Sequence, residues 1–193
     1  LEEKGNLKYT LVYVPEGAES EHEAYFCVER DHYIGQDVDH LIDQYTRIIS
    51  EASKKTTVRE FTSDSKDREV MLNQFASGQL EVLTSMKCLD EGIDVPRSEM
   101  AIFCSSTGNP RQFIQRRGRI LRTHPNKHMA IIHDLVVAPI VNHSSNAFQV
   151  EKSLLRNELK RVQNFALLSD NSSDSVKELD DVISYYGLSI FDV

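Results

Sequence analysis

The feature that most constrains the fold of this chain is a series of short apolar segments separated by helical patterns. Each apolar segment ends at polar or turn-forming residues, which is typical of buried strands. The five segments are Tyr9–Val14, Thr57–Phe61, Leu80–Thr84, Met100–Cys104 and Met129–Asp134. Because strands that are covered on both faces and separated by helices form parallel sheets, the sequence predicts an α/β domain with a central, mainly parallel sheet.

Helices are predicted between these strands. From Val38 onward, apolar residues recur at the spacing of an amphipathic helix that ends near Ala52. A second helix contains Met71 and Phe75, is capped by Asp64 or Ser65, and ends at Gly78. Ala24–Val28 is a candidate for a further short strand. Ligands of such folds bind beyond the carboxyl ends of the strands, where Thr62, Ser63 and the residues after Thr84 lie.

An arginine-rich helix is predicted over residues 111–122, after an Asn109 cap and Pro110 at the first helical position. Helical spacing puts Gln115, Arg119 and Arg122 on one face, with Arg116 beside them. Ile114 and Leu121 are predicted to anchor a different side. The helix would thus project several guanidinium groups, which pair bidentately with phosphate oxygens.

The surroundings of this helix favour a ligand over a merely solvated charged face, which is the usual role of a charge run. No acidic residue occurs between Glu99 and Asp134, although the whole chain carries a net charge of -8. A positive region in an acidic protein is suited to a polyanionic partner. A few phosphate contacts are enough for a local nucleic-acid site.

The pattern changes after Pro139, where helical stripes replace strands. The first stripe contains Val150, Leu154, Leu155, Leu159, Val162 and Ala166, and the second contains Val176, Leu179, Val182, Ile183 and Tyr186. We therefore predict a sheet domain over residues 1–147 and a helical extension over residues 148–193.

The composition, 40% hydrophobic over 193 residues, is ordinary for a globular protein. No apolar run in the sequence is long enough to predict a membrane span. The first residues lack the apolar core of a signal peptide, and the three cysteines are widely spaced, so we expect reduced thiols in a cytoplasmic protein. His124 and His128 have a metal-ligand spacing, but Pro125 favours a loop and no third ligand is evident. No metal site is predicted.

Several motifs together resemble those of the superfamily 2 helicases and translocases. Thr84–Pro96 resembles motif V, and the segment from Arg111 to Arg122 resembles motif VI, of the second of the two RecA-like domains that form the motor. Leu11–Pro15 resembles motif IV, and Phe61–Ser63 resembles the motif between IV and V. The resemblance covers residues 9 to about 135 and is closest to the branch of DNA-repair helicases and restriction-enzyme motor subunits. It implies a RecA-like three-layer fold.

The resemblance also implies roles around ATP. It assigns Arg116, Arg119 and Arg122 to the catalytic site, with Arg119 and Arg122 as arginine fingers on the γ-phosphate. Gln115 and Arg116 would link the site to the first RecA-like domain. Gly92 would allow close approach of the nucleotide, although a tight turn explains it equally well, and Asp94 would accept hydrogen bonds from the ribose. A fixed guanidinium stabilises charge on transferring phosphoryl oxygens, with rate effects of order 10³ to 10⁵.

Small hydroxyls and one cation at the strand ends are the predicted contacts to nucleic-acid phosphates. They are Thr62, Ser63, Thr84, Ser85 and Lys87. Met86 stands where the family often has threonine, so a phosphate contact there would come from the backbone. Turn formation is an equally good explanation for each Ser or Thr taken singly.

The function that follows is the C-terminal half of an ATP-dependent DNA helicase or translocase. The chain has no GxxxxGK[ST] segment, so Mg²⁺ and most of ATP would be held by a first RecA-like domain. Expected partners are that domain, nucleic acid in the form of double-stranded DNA, and subunits of a restriction or repair complex. The alternative is a non-catalytic RecA-like module that binds nucleic acid or protein.

Overall fold

The computed structural model of the protein describes residues 7–15, 40–86, 95, 97–104, 110–143 and 146–191. The predicted strand at residues 24–28 and the predicted site residues Lys87, Gly92 and Asp94 lie outside these ranges. Five strands form one sheet: β1 (Thr10–Tyr13), β2 (Val58–Glu60), β3 (Val82–Ser85), β4 (Met100–Phe103) and β5 (Ile131–Asp134). All five apolar segments predicted as strands are confirmed.

The strand order is β2-β3-β1-β4-β5. The central strand β1 pairs in parallel with both β3 and β4, so that Tyr13 lies level with Ser85 and Phe103. β2 continues the sheet beyond β3 in the same direction. The sheet is therefore parallel, as predicted, and the carboxyl ends of its strands share one edge.

Helices cover the sheet on both faces. Helix α1 (His40–Ala52) places Ile42 in a core with Val12, Val14 and Val82. Side chains alternate along a strand, so Tyr13 points to the opposite face. There its ring stacks on Phe103 with centroids 4.9 Å apart. This arrangement is the predicted three-layer fold.

Helix α2 (Arg68–Ser77) ends where the sequence predicts, at Gly78. The φ angle of Gly78 is 74°, a left-handed conformation that glycine adopts without strain, and its N–H donates to the carbonyl of Phe75. The prediction that Asp64 or Ser65 caps the start is wrong. Asp67 precedes the helix and makes no side-chain cap bond, while the hydroxyl of Ser65 accepts from the N–H of Thr62 at 2.9 Å.

The amino-terminal edge of the sheet is braced by two residues in the left-handed region, Tyr9 (φ 63°) and Arg97 (φ 41°). The Arg97 guanidinium lies 3.9 Å from the Tyr9 ring centroid, donates to the Tyr9 hydroxyl at 2.9 Å, and pairs with Glu99 at 2.7 Å. Such backbone conformations cost energy in residues other than glycine and persist where neighbouring contacts hold them. This edge lies opposite the carboxyl ends of the strands.

The chain divides into two compact units, residues 1–133 and 134–193. The second unit contains α4 (Phe148–Ala166), α5 (Ser172–Lys177) and α6 (Asp180–Tyr185). This unit is helical, as expected for the extension. The observed division falls after residue 133, whereas the predicted boundary falls after residue 147. The second stripe forms two short helices, not one, because the chain turns between Lys177 and Asp180.

The second unit has an apolar core of its own. The buried residues are Leu155, Leu159, Val162, Ala166, Val182, Ile183, Tyr186 and Ile190. Val150 and Leu154, which the stripe predicts to be inside, are 71% and 42% exposed. The Tyr186 hydroxyl donates to Glu151 at 2.9 Å, so the polar end of this buried ring is satisfied.

Two charged residues, Glu158 and Arg161, are buried on α4, where the sequence pattern predicts surface positions. Arg161 pairs with Glu158 at 2.8 Å and with Asp134 at 3.3 Å, and donates to the carbonyl of Leu135 at 3.2 Å. Burial raises the pKa of Asp134 to about 6, Arg161 opposes this rise, and Glu158 adds to it. The guanidinium of Arg161 thus lies between two carboxylates within the second unit.

Candidate functional site

The arginine-rich helix, α3 (Pro110–Ile120), begins and runs as predicted but buries a different face. Its buried residues are Phe113, Arg116, Arg119 and Ile120. The predicted anchors Ile114 and Leu121 are 47% and 55% exposed, so that prediction is wrong. The helix is rotated relative to the expected orientation because Arg116 points into the protein.

Arg116 is only 1% exposed. Its guanidinium donates to the carbonyl of Met86 at 2.9 Å and lies 5.0 Å from the centroid of the Tyr13 ring. The carbonyl that accepts from the guanidinium and the aromatic ring beside it both help to compensate the burial of this charge. Arg116 thus joins α3 to the ends of β1 and β3.

Arg119 and Arg122 meet at one open depression, which Gln115 and Gly118 also line. Arg119 is 8% exposed, whereas Arg122 and Gln115 are exposed. The helix ends at Ile120, so Arg122 follows it and is not part of the helical face on which the sequence places it. The structure nevertheless brings three of the predicted residues together, and their groups can donate to an anion.

The end of α3 is held by partners that the sequence pattern does not reveal. The ammonium group of Lys127 donates to the carbonyls of Ile120 and Arg122. Burial lowers the pKa of Lys127, and the nearby charge of Glu99 opposes this shift. A cation at the carboxyl end of a helix stabilises its last turn. Ser98 donates to the Arg119 carbonyl at 3.4 Å, so the backbone of Arg119 is fixed as well.

The predicted phosphate contacts after β2 lie in a turn near the surface. Ser63 is exposed and Thr62 is half-buried. The Thr62 and Ser65 hydroxyls lie 3.1 Å apart, which closes the turn. The Ser63 hydroxyl can therefore donate to a ligand without losing an internal contact. The Thr62 hydroxyl is less available, because it already contacts the Ser65 hydroxyl.

The predicted phosphate contacts on β3 point inward. Thr84 and Ser85 are fully buried. The Thr84 hydroxyl lies 2.6 Å from that of Thr46 on α1, so the two hydroxyls are hydrogen-bonded to each other. What this strand can offer to a ligand beyond its end is its backbone and the residues that follow.

A pair of carboxyl groups lies beside these hydroxyls and was not predicted. Glu60, the last residue of β2, hydrogen-bonds to Asp43 on α1. Burial, this hydrogen bond and the charge of Asp43 raise the pKa of Glu60 to about 7, while a hydrogen bond with Thr46 opposes the rise. Glu60 therefore holds its proton up to near neutral pH.

Within the described ranges, no three His, Cys, Asp or Glu side chains gather as a metal site would require. His124 lies in a loop, as predicted, and its Nδ1 accepts from the N–H of Asn126 at 3.2 Å. None of the described helices is both long and apolar enough to cross a membrane. Cys104 is a free thiol whose pKa burial raises to about 11.

Comparison with known proteins agrees with this architecture. Residues 11–124 match the model of the helicase conserved C-terminal domain. A 62-residue stretch is 42% identical to the DNA 3'-5' translocase XPB2 of Sulfurisphaera tokodaii and covers 32% of this chain and 14% of that protein. An 86-residue stretch is 34% identical to Dicer-like protein 2 of Pyricularia oryzae. It covers 45% of this chain and 6% of that protein. The matched stretches thus span a small part of these relatives.

The fold has a counterpart among solved structures. The yeast DEAD-box splicing factor Prp28 aligns with a TM-score of 0.54 at 14% identity, over 94% of this chain and 32% of that one. This likeness concerns the fold alone. The family match, which covers more than half of the chain, and the parallel sheet with α3 at its carboxyl edge agree with the motifs read from the sequence. The chain belongs to the helicase conserved C-terminal domain family and contains the C-terminal RecA-like domain of that family.

Proposed function

We propose that this chain is the second RecA-like half of an ATP-dependent DNA helicase or translocase and supplies arginine fingers to ATP. The observation that carries this proposal is the depression at the end of α3, where Arg119, Arg122 and Gln115 meet. The positions of the two arginines relative to the helix end are held by Lys127 and Ser98. Fixed cations of this kind act best when they need not rearrange during the reaction.

The donors in this depression fit a phosphate group and not a metal ion. Guanidinium and amide groups of Arg119, Arg122 and Gln115 donate to oxygens, whereas Mg²⁺ requires oxygen ligands. Mg²⁺ and the phosphate-binding loop would therefore belong to the first RecA-like domain of a longer protein. In the cleft between the two domains, Arg119 and Arg122 would stabilise the charge that develops on the γ-phosphate.

Nucleic acid would be held at the carboxyl edge of the sheet, beyond β2 and β3. Ser63 and Thr62 would contact phosphates through their hydroxyls, and Thr84 and Ser85 through the backbone after their strand. For Lys87, the motif implies a contact to nucleic-acid phosphates, and for Gly92 and Asp94 it implies contacts to the nucleotide. These roles stay predictions. We favour double-stranded DNA because the archaeal relative is named a DNA translocase. A cytoplasmic restriction or repair complex is the setting we propose.

The decisive experiment measures ATP hydrolysis by the full-length protein, with and without double-stranded DNA. Arg119→Lys keeps the charge but loses the planar fork, and should reduce the stimulated rate by about 10³-fold while DNA binding is retained. Arg117→Lys, on the same helix, is the matched control and should change the rate little. This chain alone should show no ATP turnover.

Three results would contradict the proposal. If the full-length wild-type protein does not hydrolyse ATP, or if Arg119→Lys is as active as the control, the non-catalytic module becomes the better description. Turnover by the isolated chain would also contradict it, because the chain would then hold a complete site.

A further inference from the structure

We propose that Arg116 is a positioning residue that couples phosphate contact at the end of β3 to the placement of Arg119. This inference rests on the proposed function, and it removes Arg116 from the group that touches ATP. The motif assigns Arg116 to the catalytic arginines, yet the side chain is 1% exposed and is not among the residues that line the depression of Arg119 and Arg122. Its chemistry must therefore act through other residues.

The partners of Arg116 lie at the point where two strands leave the sheet. The Tyr13 ring, at the end of β1, lies beneath the guanidinium. The carbonyl of Ser85 accepts the N–H of Val14 at 2.9 Å, as part of the sheet. The next carbonyl along the chain, that of Met86, accepts from Arg116 instead. Arg116 thus supplies the hydrogen-bond donor to the first carbonyl after β3.

Met86 is held from both sides. Its side chain packs against the core formed by Val12, Val14, Ile42 and Val82, while its carbonyl is bound by Arg116. A displacement of the backbone after β3 must therefore move Met86 against the core or move the guanidinium. Because Arg116 lies three residues before Arg119 on a continuous helix, the second movement reorients Arg119.

The consequence is a mechanical link between two predicted contacts. β3 leads directly into the segment that would follow nucleic-acid phosphates, and α3 carries the arginine that would reach ATP. A planar guanidinium between a ring and a carbonyl transmits displacement in a way that a flexible ammonium does not, because both of its contacts depend on its orientation. Arg116 would therefore determine how strongly nucleic acid stimulates hydrolysis.

The test uses the full-length protein and the ratio of the DNA-stimulated to the basal ATPase rate. Arg116→Lys should lower this ratio about tenfold, which is a typical size for coupling between two sites, and should change the KM for ATP little. Arg119→Lys should instead reduce both rates together, and Arg117→Lys should leave the ratio unchanged. The proposal is overturned if Arg116→Lys lowers both rates in equal proportion or leaves the ratio unaltered.

A second measurement separates this proposal from the proposed function, and its first comparison uses the wild type alone. Hydrogen exchange of residues 117–121 in this chain is compared with and without a saturating DNA duplex. Coupling through Arg116 predicts slower exchange in the wild type, and no such change in Arg116→Lys. Unchanged exchange in the wild type refutes the link. A wild type that hydrolyses no ATP but shows the slower exchange refutes the proposed function alone.

Discussion

A single hydroxyl shows how residue type and residue position lead to different conclusions. Threonine at the end of a strand suits a phosphate contact, but Thr84 is fully buried and hydrogen-bonded to Thr46 at 2.6 Å. Ser63, with the same functional group, is exposed. A hydroxyl that already has an internal partner gains little from a ligand, and its removal takes one hydrogen bond away from that partner.

We predict that Thr84→Val lowers the free energy of unfolding by about 1 kcal/mol, because the Thr46 hydroxyl loses its bond. Urea unfolding of the chain measures this loss, and Thr46→Val should give a similar one. Ser63→Ala should leave stability within about 0.5 kcal/mol and weaken DNA binding several-fold. If Thr84→Val instead weakens DNA binding at unchanged stability, the hydroxyl contacts nucleic acid and the internal bond is secondary.

The sequence predicts which residues form the site but not the directions of their side chains. Gln115, Arg119 and Arg122 do meet at one depression. The inward direction of Arg116 depends on the Met86 carbonyl and the Tyr13 ring, which are distant in sequence. The contact between Glu60 and Asp43 likewise joins separate elements. Local spacing contains no information on such partners.

At the scale of elements, α3 contains a glycine that its own structure does not require. Gly118 lies inside the helix, and a Cβ atom added there would meet no atom within 4 Å. A glycine in the interior of a helix costs about 0.5 to 1 kcal/mol relative to alanine. The space over Gly118 therefore suits close approach by a group from outside the described chain.

Gly118→Ala should raise the free energy of unfolding of the chain by about 0.5 to 1 kcal/mol and reduce the ATPase rate of the full-length protein. Thermal unfolding and steady-state kinetics measure the two effects. Gly78→Ala is the opposing control: with φ at 74° and a Cβ atom 2.9 Å from the Tyr9 hydroxyl, it should destabilise the chain. Stabilisation of Gly118→Ala with full activity would show that nothing approaches this position.

The strands were predictable because each is a compact apolar run, and α1 and α2 because their apolar spacing and Gly78 are local signals. The end of α3 at Ile120 was not, since it depends on Lys127 reaching back to the last carbonyls. The break between α5 and α6 was missed because a continuous apolar stripe hides a turn. Elements follow from local pattern, whereas their limits follow from contacts.

At the scale of the whole molecule, two carboxyl groups influence stability in the same direction. The pKa of Glu60 is raised to about 7 and that of Asp134 to about 6, in both cases chiefly by burial. A folded-state pKa above the unfolded value means that the folded protein binds a proton more tightly. Stability from these groups is thus fully present below about pH 4 and is lost as the pH rises through 6 and 7.

We predict that Glu60→Gln and Asp134→Asn together make the chain relatively more stable at pH 8 than at pH 5, compared with the wild type. The difference should be on the order of 1 to 2 kcal/mol, because solvent screens the half-buried Glu60. Urea unfolding across this pH range measures it. Parallel pH profiles for the variant and the wild type would show that neither pKa is raised.

The buried cluster of the second unit has a consequence for the evolution of the chain. Arg161 serves two carboxylates, Glu158 from its own helix and Asp134 from outside it. Loss of the guanidinium alone would leave buried carboxylates without a counter-charge, which costs about 3 to 5 kcal/mol, while joint replacement by apolar residues can be neutral. Homologues that differ at one of these three positions should therefore differ at all three. Such covariation would show that the three residues are retained or replaced together.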